Sequence, residues 1–333
     1  MQNELIGVAG LGLLGRGIVA CLLGHGFRVK AYTTGSDTHQ KARVYIETAI
    51  DELLEHGVMD QTLGAVWRDN YTEVNDLSEL SDCTFIIESV TEDRAIKEQV
   101  FEVLEAFVSS DTPIASNTSA IPISTLQSTC KHPERFLGMH WAEPAYATRF
   151  LELIRGEKTS EETIERALLL GQQTGKDPAI VNRDIPGFIV NRLGYAMYRE
   201  ALHLLETEVA DVETIDRAFR NACGLWATFC GPFRWMDITG GPALYAKAMS
   251  GVLPNLSGTA SIPDIMQRKL ERNERGVKGG GGFYEYQLGD EDRWEKALHA
   301  HAWIVWDLQQ RYANNGIDSV LNSSPRSLPT QLI

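Results

Sequence analysis

Residues 5–15 read LIGVAGLGLLG, and the rest of the chain is organised around this stretch. Leu5 to Ala9 is an apolar run without charge, which predicts a buried parallel strand. The glycines that follow are spaced Gly-x-Gly-x-x-Gly, and an apolar, helix-compatible segment continues from Arg16 to His25. Strand, glycine turn and helix in this order are typical of a dinucleotide-binding unit.

The three glycines of this turn have separate expected roles. Gly10 permits a tight turn, Gly12 lets a pyrophosphate approach the backbone, and Gly15 lets the helix pack closely against the strand. The pyrophosphate is expected on the unpaired N–H groups at the helix N-terminus, where the macrodipole favours negative charge. A glycine-rich turn without a ligand is the alternative. The predicted cofactor contacts of the turn are Gly10, Leu11, Gly12, Leu13, Leu14 and Gly15.

The composition is that of an ordinary globular protein. The 333 residues are enough for two domains, and 43% of them are hydrophobic. A net charge of −14 argues against a broad nucleic-acid surface or an anionic membrane as partner. The five cysteines are scattered without a Cys-x-x-Cys pair, and neither a signal peptide nor an apolar run of ~18 residues is present. These features predict a reduced, cytoplasmic protein that binds neither nucleic acid nor membrane.

Strand-like and helix-like segments alternate through residue 140, which predicts an α/β fold with a doubly wound, mostly parallel sheet of Rossmann type. From Pro186 onward the pattern is mainly helical, with Pro186 placed in a first helical turn. We therefore expect a dinucleotide-binding domain over residues 1–184 and an all-α C-terminal domain over residues 185–333. The further expected strands are Arg28–Tyr32, Thr84–Ile87, Ile114–Asn117, Phe136–His140 and Phe150–Ile154. The expected helices are Thr38–His56, Ala95–Phe107, Glu161–Thr174, a helix capped by Asp211 that ends at Phe219, and Ala297–Tyr312.

Three more stretches carry polar side chains of chemical interest: SNTS at residues 116–119, MHWAEP at 139–144 and DIPGFIVNR at 184–192. His140 ends a predicted strand, and by itself it could be a structural histidine. Glu152 lies inside a predicted apolar strand, where a buried carboxylate needs a partner. A histidine on a neighbouring strand would supply that partner, and the pair would orient and charge the imidazole as acid–base catalysis requires.

The order and spacing of these motifs resemble the 3-hydroxyacyl-CoA dehydrogenase family. That family has the glycine turn, SNTS, a His-x-x-Asn-Pro motif followed twelve residues later by Glu, and PGF-[IV]-x-NR at the start of its helical domain. GPF at residues 231–233 with Asp237, and GGGGFY at 279–284, are further matches, so the resemblance spans roughly residues 4–287. It implies an NAD-dependent oxidoreductase acting on a small-molecule 3-hydroxy substrate, with no metal, and a homodimer formed through the helical domain.

The resemblance also implies roles for single residues. His140 would be the general base that takes the 3-hydroxyl proton, and Glu152 would orient it and stabilise its protonated form. Ser119 and Asn191 would hydrogen-bond the substrate oxygen at C3. The further residues that it places at the cofactor are Thr33, Glu92, Lys97 and Asn117, with Glu92 and Lys97 near the nicotinamide end. A solvated helix charge is the alternative for Lys97.

This sequence departs from the family at Glu143, where Asn is usual. A carboxylate cannot donate a hydrogen bond as an amide can, so the wall beside the substrate is expected to differ. A metal pair formed by His140 and Glu143 lacks a third ligand at suitable spacing. The resemblance implies a short-chain (3S)-hydroxyacyl-CoA as the first substrate class. Glu143 and Trp141 keep open a free hydroxy acid, as in the gulonate and carnitine dehydrogenases of the same family, and a non-catalytic dinucleotide-binding protein is a third interpretation.

A second departure lies at the end of the second strand, where NAD-binding folds usually carry an acidic residue that binds the adenosine ribose. Thr33 occupies this position, and the nearest acid, Asp37, comes four residues later. Thr33 cannot repel the 2′-phosphate of NADP. Hydroxyls of Thr33, Thr34 and Ser36, with Lys41 or Arg43 from the next helix, could bind that phosphate, but no arginine immediately follows Thr33, where a strong NADP site would have one. We expect NAD as the first cofactor, with NADP disfavoured by less than about tenfold.

Overall fold

The computed structural model describes residues 4–287 and 289–313, the side chains of 311–313 excepted. The chain divides into two compact units between Leu193 and Gly194. The first unit is built on one eight-stranded sheet with the strand order β3-β2-β1-β4-β5-β6-β7-β8. These strands are β1 Leu5–Ala9, β2 Arg28–Tyr32, β3 Tyr71–Val74, β4 Phe85–Glu88, β5 Ile114–Ser116, β6 Phe136–Trp141, β7 Phe150–Ile154 and β8 Asp177–Val181.

The strands β1 to β6 run parallel to one another, whereas β7 pairs with β6 in the antiparallel direction and with β8 in the parallel direction. The carboxyl ends of β1, β4, β5 and β6 therefore meet at one edge of the sheet. The strand order reverses on either side of β1, and the crevice at such a reversal is where doubly wound sheets bind ligands. The predicted mostly parallel sheet is confirmed.

Helices pack against this sheet and begin where capping side chains are available. Asp60, Asp93 and Ser160 each accept a backbone N–H in the first turn of the helix that follows. A helix of the 3₁₀ type over Leu77–Leu80 begins with a capping box formed by Asp76 and Glu79. The helices of the first unit are α1 Leu13–Gly24, α2 Ser36–Glu55, α3 Gln61–Val66, α4 Arg94–Phe107, α5 Ile123–Gln127 and α6 Glu161–Gln173.

The second unit is mainly helical in its described residues, and two isolated β-bridges, Gly276–Gly281 and Gly281–Glu285, lie in the connection before its last helix. Its helices are α7 Val190–Glu206, which begins in the first unit, α8 Val212–Ala227, α9 Pro232–Ile238, α10 Gly241–Val252, α11 Asp264–Glu271 and α12 Asp290–Ala313. Asp211 caps α8, as predicted, although the helix runs on to Ala227 instead of ending at Phe219. From α7 to α11 the helices contain no buried residue. Among the described residues, no helix combines the length and the apolar character that a membrane span requires.

Several predicted boundaries change in the structure. Pro186 is not in a helix, because Gly187 (φ +78°) and Phe188 (φ +48°) adopt left-handed conformations that end the preceding segment, and α7 begins at Val190. The strands β3 and β8 were not predicted, since both lie at the sheet edges and carry polar or proline residues. The boundary at residue 184 stays a prediction. Residues 314–333 of the predicted helical domain lie outside the described residues.

Candidate active site

The glycine turn after β1 has the geometry that a dinucleotide needs. Gly10 has a φ of +111°, and a Cβ there would come within 2.5 Å of the Ser89 carbonyl oxygen. A Cβ on Gly15 would overlap the Gly10 carbonyl oxygen, so the helix packs directly on the turn. A Cβ on Gly12, in contrast, would meet no atom within 4 Å. Gly12 is also the N-cap of α1 and gives it no side-chain cap, so the turn fits an approaching pyrophosphate.

The leucines of this turn differ in what they can offer to a cofactor. Leu11 is buried, so only its backbone faces the turn. Leu13 is 51% exposed and Leu14 is half-buried, beside the uncapped helix end. Leu13 and Leu14 thus remain candidates for apolar contact, whereas the Leu11 side chain belongs to the core.

Near the end of β2, fewer side chains are available to bind a 2′-phosphate than the sequence predicted. Thr33 is buried, whereas Thr34 and Ser36 are exposed beside the first turn of α2. Arg43 donates to both carboxylate oxygens of Glu73, at 2.6 and 2.5 Å, and this pairing raises the pKa of Arg43. Arg43 is therefore engaged on β3 and is not available to a 2′-phosphate unless it leaves that carboxylate.

His140 and Glu152 face each other across the antiparallel pair β6–β7. Nδ1 of His140 lies 2.9 Å from Oε2 of Glu152, and both side chains are buried. An ionised carboxylate only accepts hydrogen bonds, so Nδ1 carries a hydrogen and Nε2 is the basic nitrogen of the neutral ring. The other oxygen, Oε1, accepts the backbone N–H groups of Ile189 and Val190 at 3.0 and 2.9 Å. Glu152 thus fixes both the imidazole and the start of α7.

The structure also brings Ser119 and Asn191 together. Nδ2 of Asn191 donates to the Ser119 carbonyl oxygen at 2.8 Å, and Ser119 is exposed. Asn191 comes directly after Ile189 and Val190, whose backbone N–H groups bind Glu152. The two residues predicted to bind the substrate oxygen therefore lie side by side, while their roles toward a substrate stay predictions.

Glu92 shapes the loop that carries Ser119. Its Oε1 accepts the Thr118 hydroxyl at 2.6 Å and the N–H groups of Ser119 and Ala120 at 2.8 and 3.1 Å. Burial alone would raise the pKa of Glu92, but these hydrogen bonds and the nearby Lys97 ammonium hold it below its usual value. Glu92 is ionised at neutral pH and serves as an anchor for this loop.

Lys97 is fully buried, so the interpretation as a solvated helix charge is wrong. Its ammonium lies 2.7 Å from Oε1 of Glu88 and 3.4 Å from Oε2 of Glu92. Glu88, which is also fully buried, received no role from the sequence. The available signal was a single carboxylate at the end of the apolar strand Phe85–Glu88.

Asn117 joins three strand ends at the same edge. Nδ2 donates to the Ser89 hydroxyl at 3.1 Å, and Oδ1 accepts the Trp141 N–H at 3.0 Å. Its side chain is thus hydrogen-bonded within the protein, and its contact with the cofactor stays a prediction.

Glu143 directs its carboxylate toward α2, where it accepts the Tyr45 hydroxyl at 2.7 Å. The Arg16 guanidinium stacks over the Tyr45 ring at 3.9 Å. Tyr45 and Arg16 were not predicted, because they lie far from Glu143 in sequence. Within residues 4–287 and 289–313, no group of three or more His, Cys, Asp or Glu could hold a metal ion.

Thr33 and His140 mark opposite ends of the candidate site. β2 and β6 are separated in the sheet by β1, β4 and β5, so at about 4.8 Å per step the two strand ends are about 19 Å apart. The glycine turn lies after the strand next to β2. This spacing is large enough for an extended ligand to reach from one strand end to the other, while the predicted roles of Thr33 and His140 stay predictions.

Two family models cover most of the chain. Residues 5–185 match the NAD-binding domain of 3-hydroxyacyl-CoA dehydrogenase, and residues 187–286 match its C-terminal domain. The NAD-binding assignment of the first unit is therefore confirmed.

Three curated relatives show the range of activities among similar chains. The 5-formyl-3-hydroxy-2-methylpyridine 4-carboxylate 5-dehydrogenase of Mesorhizobium japonicum is 32% identical over 84% of this chain and 90% of its own length. The L-carnitine dehydrogenase of Oceanobacillus iheyensis is 32% identical over 82% and 88%. A probable 3-hydroxybutyryl-CoA dehydrogenase of Deinococcus radiodurans is 31% identical over 84% and 99%.

Solved structures give the same result. A 5-formyl-3-hydroxy-2-methylpyridine 4-carboxylic acid 5-dehydrogenase, described as an NAD⁺-dependent dismutase, aligns with a TM-score of 0.84 and 31% identity over 92% of this chain and 97% of its own. The (S)-3-hydroxybutyryl-CoA dehydrogenase of Ralstonia eutropha aligns with a TM-score of 0.71 and 27% identity over 85% and 99%. The glycine turn, the His140–Glu152 pair and both family models lead to one conclusion: this chain belongs to the 3-hydroxyacyl-CoA dehydrogenase family, whose members are NAD-dependent dehydrogenases.

Proposed function

We propose that this protein interconverts a hydroxyl group and a carbonyl group on a small molecule, with His140 as the acid–base residue. The observation that carries the proposal is the buried hydrogen bond from Nδ1 of His140 to Glu152. That bond leaves Nε2 as the basic nitrogen and supplies a carboxylate to stabilise the imidazolium. A protein that only bound a dinucleotide would need the glycine turn but not this pair.

The chain's own residues then have separate tasks. Nε2 of His140 takes the proton from the substrate hydroxyl in oxidation and returns it in reduction. Glu152 balances the charge that the imidazole gains, and it keeps the ring in one orientation. The Ser119 hydroxyl and the Asn191 amide hold the substrate oxygen while its C–O bond changes order. NAD, bound at the glycine turn, supplies the hydride acceptor or donor. Thr33, Glu92 and the glycine turn are the residues that we propose to hold it.

A short-chain (3S)-hydroxyacyl-CoA is the first substrate class that we propose. The family models and the relative from Deinococcus radiodurans support it. The reaction would convert the 3-hydroxyl to the 3-keto group and release one proton through His140.

A carboxylated substrate without coenzyme A is the second class, and a specific observation favours it. The pyridine-carboxylate dehydrogenase structure aligns over more of this chain, and with a higher TM-score, than the hydroxybutyryl-CoA enzyme of Ralstonia eutropha. The L-carnitine dehydrogenase relative belongs to the same CoA-free group. Glu143, where the family usually has Asn, gives this chain a different wall three residues after His140, which fits a substrate other than the usual 3-hydroxyacyl-CoA.

We also propose a cytoplasmic homodimer in which residues 185–333 contain both the substrate domain and the dimer contacts, while residues 1–184 bind the cofactor. The second unit exposes large apolar side chains, and among those more than half exposed are Tyr195, Leu225, Phe233, Leu244 and Leu270. Such surfaces are typical of protein interfaces. The five cysteines are all free thiols, as in a reducing compartment. Sedimentation equilibrium tests the dimer, and a monomer at micromolar concentration would contradict it.

A substrate panel tests the proposed function. (S)-3-hydroxybutyryl-CoA, longer 3-hydroxyacyl-CoAs, L-carnitine, L-gulonate and a 5-hydroxymethylpyridine carboxylate are each offered with NAD and with NADP. We expect formation of reduced cofactor with one class only, and a loss of that activity in His140→Ala. If no compound were oxidised while NADH still bound, the non-catalytic interpretation would replace this proposal.

A further inference from the structure

Glu88 lies at the carboxyl end of β4 with three hydrogen-bond donors around its carboxylate. Lys97 Nζ donates to Oε1 at 2.7 Å, the Val90 N–H donates to the same oxygen at 2.7 Å, and the Ser116 hydroxyl donates to Oε2 at 2.6 Å. Glu88 pairs with Ser116 across the strand ends of β4 and β5. This one carboxylate therefore connects two strands, the turn after β4 and the first part of α4.

Lys97 cannot present its ammonium to solvent, because its side chain is fully enclosed. Its polar neighbours are Glu88, the Val90 carbonyl oxygen at 3.5 Å and Glu92. A buried ammonium costs several kcal/mol unless a partner charge offsets its desolvation. Glu88 is that partner, since it is the carboxylate in direct hydrogen-bond contact and is equally buried. Glu88 thus makes it possible for the buried Lys97 ammonium to lie beside the Glu92 carboxylate.

The sequence of contacts then continues toward the candidate site. Glu92 receives Lys97 on one oxygen and the loop of Thr118, Ser119 and Ala120 on the other. The Ser119 carbonyl oxygen in turn accepts the Asn191 amide. A displacement of the Lys97 ammonium would therefore shift the Glu92 carboxylate and, with it, the loop that carries the Ser119 hydroxyl.

We propose that Glu88 is a positioning residue for the reaction: through Lys97 it fixes the Glu92 carboxylate and thereby the loop that presents Ser119. The inference rests on the proposed function, because Ser119 must bind the substrate oxygen for the loop's position to affect turnover. Lys97 acts in the same way and does not itself contact the substrate. Small displacements of groups that orient a substrate lower rates strongly, by up to about 10²-fold for 1 Å.

The test separates positioning from stability by removing the buried pair as a whole. In Glu88→Leu/Lys97→Met both charges disappear, and an apolar replacement of a buried pair often restores stability. We expect a folded protein that is somewhat less stable than wild type, because the Val90 N–H and the Ser116 hydroxyl lose their acceptor. We also expect kcat/KM lowered at least about tenfold, and faster amide exchange confined to the segment 117–121 of the free protein. The matched control, Arg94→Met/Glu98→Leu, removes an exposed ion pair from the same helix and should change neither kcat/KM nor this exchange.

A second variant covers the case in which the double variant does not fold. In Glu88→Gln the Oε1 atom can still accept from Lys97 and Val90, while the new amide hydrogens can face the Ser116 hydroxyl oxygen. Only the charge is lost, so we expect a folded protein with faster exchange at 117–121 and a lower kcat/KM. Wild-type exchange and kinetics in Glu88→Gln, or recovery of both stability and kcat/KM in the double variant, would overturn the inference. His140→Ala is measured alongside: wild-type turnover there rejects the proposed function itself, whereas loss there alone rejects only the role of Glu88.

Discussion

Glu152→Gln changes one atom of the acid–base pair and leaves its shape. In the wild-type chain, Oε1 accepts two backbone N–H groups and Oε2 accepts Nδ1–H of His140. The glutamine oxygen is expected to stay on Ile189 and Val190, so that its NH₂ group faces Nδ1. Nδ1 must then accept, which moves the hydrogen of the neutral ring to Nε2 and removes the base from the substrate side.

The magnitude of the effect follows from the cost of the other orientation. To restore the active tautomer, the amide would have to turn its oxygen to His140 and its NH₂ group toward two backbone donors. A fully buried donor left without an acceptor costs about 1–3 kcal/mol, and these two hydrogen bonds are part-buried, so the cost for both is at most about 2–6 kcal/mol. Since each 1.36 kcal/mol is a factor of ten in rate, we expect kcat to fall by at least about tenfold and by at most about 10⁴-fold.

The assay is the pH dependence of kcat/KM in the oxidation direction, with the substrate that the panel identifies. The acid limb should move to lower pH in Glu152→Gln, because a neutral partner no longer favours the imidazolium. Unfolding free energy should change by no more than about 1 kcal/mol, the usual worth of a carboxylate at a helix N-terminus. Glu157→Gln, an exposed change nearby, serves as the control. A folded Glu152→Gln with wild-type kcat and an unmoved profile would refute the tautomer argument.

Three other predictions concern the cofactor site and its loop. Gly12→Ala should leave the melting temperature unchanged, because the added Cβ meets no atom within 4 Å, yet it should weaken NADH binding at least about tenfold in a fluorescence titration. Gly15→Ala should instead destabilise the fold, because its Cβ would overlap the Gly10 carbonyl oxygen. Wild-type NADH affinity in Gly12→Ala would place the pyrophosphate elsewhere. In the wild type, kcat/KM with NAD should exceed kcat/KM with NADP by less than about tenfold, and Thr33→Asp should raise this ratio. A wild type that already prefers NAD several hundredfold would show that another residue discriminates between the two cofactors. Because the pKa of Glu92 is lowered in the folded protein, its ionised carboxylate stabilises the fold above the ordinary carboxylate pKa, and this contribution is lost as pH falls through the lowered pKa. Glu92→Gln should therefore be less stable than wild type at neutral pH, and the difference in unfolding free energy should shrink in acid. A difference that stays constant from neutral to acid pH would contradict this prediction.

The sequence was sufficient for six of the eight strands and for the pairing of His140 with Glu152. β1 and the glycine turn could be predicted because their pattern is local: an apolar run, three spaced glycines and a helical segment follow one another directly in the sequence. His140 and Glu152 lie in consecutive predicted strands, and consecutive strands are usually neighbours, so their contact could be expected. The antiparallel register that sets them opposite each other agrees with that expectation.

What the sequence could not supply lies in long-range contacts. Lys97 shares a face of α4 with Phe101 and Leu104, both buried, at the spacing of one and two helical turns. That periodicity indicates that the Lys97 side chain is buried, but only the fold shows that its ammonium pairs with Glu88. Tyr45 and Glu143 are 98 residues apart and meet because α2 packs near the end of β6. The start of α7 was placed too early because nothing local reveals that Phe188 has a positive φ.

The most direct test of the central claim is the turnover of His140→Ala with the identified substrate, measured together with its NADH affinity. The account predicts a fall in kcat of about 10² or more with a dissociation constant for NADH close to wild type, since the imidazole acts on the substrate proton and not on the glycine turn. His132→Ala, a change at a histidine with a 49% exposed side chain, should behave as wild type in both measurements. Wild-type turnover in His140→Ala would show that another group takes the proton and would contradict the account.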